Sequence, residues 1–411
     1  MARDLAGGPA PVESPDLPSL PDVPLRLFLA AAEPSGESHA ARLAQALQRL
    51  AVEAGAPSPE LRGLGGDELR AAGVETLADP GSKAAMGAGV MGALPFYTGL
   101  IERSAACWAG WRPHTFVPVD SPALFVPMAR TAQRFGVPTV HHIAPGFWAW
   151  APWRVSRYRR YIQRALTILP FEPAWFARHG VPTGHVGHPL LDELAGLPTP
   201  PGADDRARDA LILLPGSRGH EIDDNLPWML RVVERLRLAR PGLAVRVLQS
   251  SERHRERIAG ILAGGPPVEE RYTDLHPELS RGRVVLAVSG TVLTDVLHHR
   301  LPTVAIYRDT GIWKARAQNL ILTTGSFATT NLVAGERIVP EHLFRGDGPL
   351  EEVTNWLTQA WDDPQLRSTI ARGLERAAKR LGPAGAAERA ARFVLRSAAE
   401  QASARTAKGT H

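Results

Sequence analysis

The 411-residue chain has one cysteine, Cys107. That excludes an intramolecular disulfide framework and any zinc site built on several thiolates, and it fits a reducing cytosol. No run of eighteen or more apolar residues occurs, so no segment reads as a transmembrane helix and any membrane contact would be peripheral. Charge of one sign is not in large excess: 47 Lys and Arg face 42 Asp and Glu, and a net +5 is too small to mark a dedicated nucleic-acid binder, although it favours acidic surfaces and ligands. There is no internal repeat. No Asp-x-Asp follows a strand-like run as a metal-dependent sugar-nucleotide site would need, so neither a bound metal nor a cofactor is expected.

What is present is a 44% apolar composition, enough for a large core and two domains. Short β-branched or leucine-rich runs alternate with alanine-, arginine- and leucine-rich amphipathic segments, the pattern of βαβ units feeding a parallel sheet. The fold class is therefore α/β. Strands are expected at 25–32, 116–119 and 138–143 with a helix at 38–50, and a second series at 211–214, 244–248, 284–288 and 303–306 with a helix at 225–238. The proline-rich stretch 196–206 separates the series as a linker. The expected layout is a flexible extension (1–24) without a secretory signal, a first domain (25–195), a second (207–371), a long helix (372–400) packing across both, and a fraying tail (401–411). Two doubly wound, Rossmann-like domains facing a cleft suit an enzyme that brings a nucleotide-activated donor to a separate acceptor, although fold alone does not establish activity.

The strongest local pattern in the second half is Leu211-Ile212-Leu213-Leu214-Pro215-Gly216-Ser217-Arg218-Gly219, a buried strand ending in a glycine loop that carries a guanidinium. Gly216 and Gly219 let backbone N–H groups approach a diphosphate, and Arg218 can stabilise charge on a departing nucleotide. The plainer alternative is a strand-to-helix turn with a surface arginine. A second strand, 284–288, runs into Ser289-Gly290-Thr291 and a helix bearing Asp295, which could accept from ribose hydroxyls or only complement the helix dipole. Two such loops favour a nucleotide-diphosphate site. In the first half the strand ending at Ala32 runs into Glu33-Pro34-Ser35-Gly36-Glu37-Ser38-His39, acids and hydroxyls at a strand's carboxyl end; Ser35 or Ser38 could instead merely cap a helix. Asp120, at a similar strand end, could take a proton from an attacking hydroxyl or only start a turn.

The segment from His141 to Trp150, continuing through Trp153, Arg154, Arg157, Tyr158, Arg159 and Arg160, interleaves aromatics with arginines. That suits a membrane interface, or single-stranded nucleic acid, or simply an aromatic core beside a solvated basic helix. His141 and His142 have no carboxylate at helical ligand spacing, which favours core or hydrogen-bonding roles over metal ligation. Residues 86–111 hold Met91, Leu94, Phe96, Tyr97, Leu100, Trp108 and Trp111 with few charges: an apolar patch for acyl chains, or a pair of buried helices.

In order, these pieces resemble the lipid-A-disaccharide synthase family, glycosyltransferases of the two-domain GT-B type. The likeness covers about residues 25–343. It is carried by Ala32-Glu33-Pro34-Ser35-Gly36, Gly65-Gly66 with Ala72-Gly73, Val90-Met91-Gly92, Val119-Asp120-Ser121-Pro122, Trp148-Ala149-Trp150 and Leu169-Pro170-Phe171-Glu172. It continues with Val186-Gly187-His188-Pro189-Leu190, the 213–219 loop, Ser289-Gly290-Thr291, Tyr307-Arg308 and Asn331-Leu332-Val333-Ala334-Gly335. The resemblance implies an inverting transfer from UDP-2,3-diacylglucosamine to 2,3-diacylglucosamine 1-phosphate, releasing UDP and a β-1,6-linked disaccharide 1-phosphate, in the cytoplasm at the inner face of the inner membrane. It makes Asp120 the base and Arg218 the diphosphate-stabilising residue. Gly216, Ser217, Gly219, Ser289, Gly290, Thr291 and Asp295 would join in holding the nucleotide, Glu33, Ser35 and Gly36 would line the acceptor side, and Asn331 would contribute to the cleft. The partners implied are a UDP-sugar donor, an acylated sugar phosphate acceptor and a membrane surface, with a homodimer allowed and no nucleic acid.

The chain departs from the family pattern at several points. Ala123-Leu124-Phe125 stands where an Asp-Phe-Asn run is usual, Glu37 where Asp is usual, and Asp295 where Glu is usual. Ala144-Pro145-Gly146-Phe147 replaces a Ser-Pro-x-Val run, and Leu94-Pro95 falls where a glutamate is usual. Donor chemistry is thus better preserved than acceptor recognition, which leaves another lipid or sugar acceptor as an alternative. Two further alternatives are a UDP-sugar 2-epimerase of the same fold and a non-catalytic UDP-sugar or lipid binding protein.

Overall fold

A computed structural model of the chain describes residues 10–81, 94–149, 151–197, 208–290, 292–308 and 326–409. The chain divides into two compact units: a first made of residues 3–195 and 382–411, and a second made of 1–2 and 196–381.

Among the described residues the first unit holds a seven-stranded parallel sheet: β1 (Arg26–Ala31), β2 (Glu60–Leu64), β3 (Glu75–Ala78), β4 (Thr115–Val119), β5 (Val140–His142), β6 (Arg164–Thr167) and β7 (Thr183–His185). The strand order is β3-β2-β1-β4-β5-β6-β7, so the winding reverses between β1 and β4. The chain runs short and apolar where it must be buried on both faces: Phe28, Leu29, Ala30, Phe116, Val117 and Val119 are all fully buried. Gly63 pairs with Leu29 of β1, and a Cβ there would stand 1.7 Å from the Leu29 carbonyl oxygen, so only glycine fits. Pro118 sits inside the central strand β4 and has no N–H to give the ladder. On the β5 side pairing is reduced to a Phe116–Thr139 bridge and the Val119–His142 pair.

The second unit repeats the plan with six parallel strands: β8 (Ala210–Leu214), β9 (Ala244–Gln249), β10 (Glu269–Tyr272), β11 (Gly282–Val288), β12 (Thr303–Arg308) and β13 (Glu341–Phe344). Their order is β10-β9-β8-β11-β12-β13, with the reversal between β8 and β11. The Gly219–Ala239 helix buries Ile222, Leu226, Met229, Val232, Val233 and Leu236 on the sheet, a 3–4 residue spacing that puts them on one stripe.

Several local expectations are corrected. The first helix begins at Pro34, not near residue 38, because Glu33 is extended (φ −126°) and proline's fixed φ starts the helical turn. The helix expected at 225–238 begins at Gly219, with Pro227 tolerated inside it. The long C-terminal helix expected at 372–400 is two helices, Pro364–Lys379 and Ala386–Gly409, parted by Gly382-Pro383-Ala384-Gly385 with φ of 88° and 99° at the two glycines. The last of these belongs to the first unit, where Ala390, Val394, Leu395 and Ala398 join the core of β1 and the Pro34–Glu53 helix. Its N-terminus is capped by Asp192, whose carboxylate accepts from the N–H groups of Gly385, Ala386 and Ala387. Helix also continues through the tail expected to fray. The described part of the N-terminal extension is packed: Leu17 and Leu20 rest on the core, and Glu13 exchanges hydrogen bonds with His185.

Candidate active site

In open α/β sheets ligands bind outside the carboxyl ends of the strands where the winding reverses. In the first unit Glu33, Ser35, Gly36 and Asp120 fall there, and in the second Gly216 to Gly219, Ser289 and Gly290. In the first unit, β1 leads through Glu33 into the Pro34–Glu53 helix, and β4 leads into Asp120. Gly36 ties the two together: a Cβ on it would lie 3.5 Å from the Val119 carbonyl oxygen and 3.9 Å from the Asp120 Cβ. Glu33 and Ser35 are exposed at that edge, and neither Ser35 nor Ser38 caps the helix, whose N-cap residue Glu33 makes no side-chain cap bond. Glu37 faces elsewhere. Its carboxylate accepts from the Glu68 and Leu69 N–H groups at 3.0 and 3.2 Å and so starts the short Asp67–Ala71 helix.

Asp120 and Ser121 both lie in the left-handed region, with φ of 55° and 43°. Asp120 donates its N–H to the His142 carbonyl at 3.0 Å, and its own carbonyl accepts from His141 Nε2 at 2.9 Å. Burial drives the imidazoles of this sheet end to the neutral form: His141 is pushed down to about 4, His142 to about 3, and His39 and His188 to about 4. Beyond β6 the fully buried Glu172 accepts from the Ile168 and Leu169 N–H groups and from the Trp148 indole at 2.9–3.0 Å, and burial pushes its carboxyl up to about 7.

In the second unit the loop after β8 carries Gly216, Ser217 and Arg218 into the Gly219–Ala239 helix, whose dipole makes this an anion-favouring end. Gly216 has φ 107°, and a Cβ there would stand 2.6 Å from Glu221 Cβ, so the loop requires glycine. Gln249 fixes the Gly216 carbonyl at 2.9 Å. The Arg218 side chain is 66% exposed and reaches Glu221 at 3.1 Å. Ser289, after the adjacent strand β11, gives its hydroxyl to the Phe327 carbonyl at 2.9 Å, while Gly290 has open space over its α-carbon. Asp295 lies 3.6 Å from His276 Nε2. Thr291 lies outside the described residues, as do Trp150 and the 86–93 part of the apolar segment.

Asn331 is buried and both ends of its carboxamide are engaged: Oδ1 accepts from the Ile338 and Val339 N–H groups and Nδ2 donates to the Val339 carbonyl. It fixes the chain between the Thr329–Ala334 helix and β13, so it shapes its surroundings through the backbone and not through free polar atoms.

Two residues that close on the 216–219 loop from helices went unmarked in the sequence. Glu221 Oε2 accepts from the Ser217 and Arg218 N–H groups at 3.1 and 3.2 Å, occupying the donors that glycine spacing offered to a phosphate; a glutamate three residues after Arg218, the acidic half of a capping box, was the available signal. Arg257 brings a second guanidinium over Gly219, 3.1 Å from where a Cβ would be, and pairs with Asp223. No local pattern points to it, because it arrives from a helix 34 residues away in sequence from Asp223.

The aromatic and basic segment resolves into both of its plainer parts. Phe147, Trp148 and Tyr158 are buried, Arg157, Arg159 and Arg160 are exposed, and Trp153 stands 58% exposed beside them. Trp108, in the apolar segment, is core, packed on Phe28 and Phe116. Among the described residues no helix is long and apolar enough to cross a membrane, and no group of three or more His, Cys, Asp or Glu is arranged to hold a metal ion.

A family model described as lipid-A-disaccharide synthetase matches residues 27–359. Among curated proteins, the lipid-A-disaccharide synthase of Myxococcus xanthus (strain DK1622) is 33% identical over 381 residues, covering 90% of this chain and 97% of that protein. The lipid-A-disaccharide synthase of Chromohalobacter salexigens is 33% identical over 393 residues, covering 90% and 96%. Among solved structures, S. aureus MnaA with UDP has a TM-score of 0.60 at 14% identity (89% and 94% covered), and Medicago truncatula UGT71G1 with UDP-glucose has 0.59 at 12% (92% and 98% covered). At that identity the structural likeness speaks for the fold alone: two doubly wound α/β units. The family model and the curated relatives, each spanning most of the chain, show that it belongs to the lipid-A-disaccharide synthase family.

Proposed function

We propose that the chain transfers 2,3-diacylglucosamine from UDP-2,3-diacylglucosamine to 2,3-diacylglucosamine 1-phosphate in a single inverting displacement. Asp120 takes the proton from the acceptor's 6-hydroxyl as its oxygen attacks the donor's anomeric carbon. The bond from that carbon to the diphosphate breaks, its electron pair leaves with UDP, and a β-1,6-linked disaccharide 1-phosphate results. One displacement needs a base and a stabilised leaving group, with no covalent intermediate. Glu33, Ser35 and Gly36 line the acceptor side around Asp120. Gly216, Ser217, Arg218, Gly219, Ser289, Gly290 and Thr291 hold the diphosphate, Asp295 the ribose, and Asn331 fixes the chain beside them.

The observation that carries the acceptor half is the approach of Gly36 to Asp120 where the winding reverses between β1 and β4. The donor half is supported by Arg218, exposed at a 21-residue helix's N-terminus and joined there by the Arg257 guanidinium over Gly219. With Glu221 closing on the Ser217 and Arg218 N–H groups, donor binding displaces that carboxylate or uses the N–H groups one step further into the helix. An exposed Trp153, close in sequence to the exposed Arg157, Arg159 and Arg160, supports a peripheral seat on an anionic lipid surface, and the acylated substrates make the cytoplasmic face of the inner membrane the surface we infer.

Incubation with both acylated sugars tests this directly. Mass spectrometry should find the disaccharide 1-phosphate and stoichiometric UDP, and the donor alone should give neither UDP nor a second UDP-sugar. Acceptor-independent interconversion of UDP-sugars would identify an epimerase, and UDP binding without turnover would identify a binding protein.

A further inference from the structure

We propose that His141 and Tyr158 are positioning residues of the transfer, forming a buried hydrogen-bond chain that holds the left-handed Asp120 turn in the geometry its carboxylate needs. The proposal rests on the assignment of Asp120 as base. It starts from strain: Asp120 and Ser121, neither of them glycine, sit at φ of 55° and 43°, a left-handed conformation that L side chains adopt only at a cost. The turn is not stabilised by its own cap, since the helix that follows has no side-chain cap bond and Ser121 Oγ is buried without a hydrogen-bond partner. The preceding strand gives little support, because Pro118 removes an N–H from the ladder with β5.

β5 grips the turn by its backbone. Both polar groups of the Asp120 backbone are engaged there, the N–H by the His142 carbonyl and the carbonyl by the His141 ring. A carbonyl can only accept, so His141 Nε2 carries the hydrogen. The ring is fully buried and neutral and has one N–H, so Nδ1 is left as a lone pair. The Tyr158 hydroxyl, 3.1 Å from Nδ1, must then be the donor. Every proton in the chain from Tyr158 through His141 to the Asp120 carbonyl is thereby assigned, and the tautomer that clasps Asp120 is the one Tyr158 selects. Tyr158 is itself fully buried, its ring wedged edge-on against Phe147 at 5.4 Å and beside Phe176 at 5.9 Å. Phenylalanine would fill the same space, so the hydroxyl is there for His141. Ile143, the residue after His142, is also left-handed at φ 60°, a rare state for a β-branched residue, so the carboxyl ends of β4 and β5 form one interlocked turn.

The test compares Tyr158→Phe, His141→Ala, His141→Gln, the Tyr158→Phe/His141→Ala double variant and Asp120→Ala in the full chain, reading kcat, both KM values and Tm. Losing the hydroxyl should lower kcat about five-fold and losing the imidazole about thirty-fold, with the donor KM within two-fold of the parent. His141→Gln, whose amide reaches the place of Nε2, should recover most of the loss. Tyr158→Phe should add nothing in the His141→Ala background, because the chain is already broken. Folded Tyr158→Phe with kcat unchanged, or losses that multiply in the double variant, would overturn the proposal. Where His141→Ala fails to fold, the isosteric Tyr158→Phe and the amide of His141→Gln carry the test. An inactive Asp120→Ala beside normal 141 and 158 variants defeats this inference alone, whereas an active Asp120→Ala defeats the assignment of the base.

Discussion

Replacing Glu172 by glutamine should change how stability depends on pH. Glu172 is fully buried and its carboxyl is raised from 4.5 to about 7, mainly by burial and against the pull of three donated hydrogen bonds. A carboxyl whose folded value lies above its unfolded value contributes stability that is fully present below the unfolded value and is lost as pH rises through the folded one. At about 1.4 kcal/mol per pH unit the whole effect is about 3.5 kcal/mol, of which about 2.5 kcal/mol falls between pH 5 and pH 8.5. Glutamine cannot titrate. With its carbonyl set to accept from Ile168 and Leu169, its amide faces the Trp148 N–H, an unsatisfied contact costing about 1–3 kcal/mol at any pH. Urea unfolding of both proteins at several pH values isolates the residue, because every other titrating group cancels in the difference. The parent should lead the variant at pH 5 and lose about 2.5 kcal/mol of that lead by pH 8.5. A difference that stays constant across the range would refute the reasoning.

The buried histidines impose the opposite limit. His39, His141, His142 and His188 are depressed to about 3–4 by burial, so the stability of their neutral forms is present above the ordinary value near 6.5 and is lost as pH falls toward 4. Near-UV circular dichroism should report loss of packing in the first unit between pH 6 and pH 4, and a signal flat to pH 4 would contradict this. Asn331→Ala should destabilise the second unit by about 2–4 kcal/mol, seen as a lower unfolding midpoint, because the Ile338 and Val339 N–H groups lose their acceptor. Gly63→Ala should fail to fold or lose more than about 3 kcal/mol, since its Cβ would meet the Leu29 carbonyl and the β1–β2 register cannot yield; a soluble protein with parental Tm would overturn that account.

Long apolar runs made the central strands β1, β4, β8, β11 and β12 readable in the sequence, and with them the α/β class. The edge strands β3 and β10 are short, polar and half-exposed, and β2 is broken by Gly63, so their local patterns give way to the pairing that forms them. The glycine loop at 216–219, the acid at 120 and the turn at 33–36 were legible because each follows such an apolar run. The contacts that connect them were not. Arg257 over Gly219 and Tyr158 behind His141 come from tertiary packing, which residue spacing alone does not encode, whereas Glu221 on the loop's N–H groups is a local contact three and four residues along the chain. The split of the last helix was missed for a simpler reason: Gly382-Pro383 interrupts an alanine- and arginine-rich pattern that is otherwise continuous.

The central claim is that a carboxylate from the first unit activates the acceptor while a guanidinium from the second holds the leaving diphosphate. Steady-state turnover of Asp120→Asn and Arg218→Ala with both acylated substrates tests it most directly. Each variant should keep the parent's unfolding midpoint and lose about a hundred-fold or more in kcat, with Arg218→Ala also weakening UDP binding. Turnover within three-fold of the parent in either folded variant would contradict the claim.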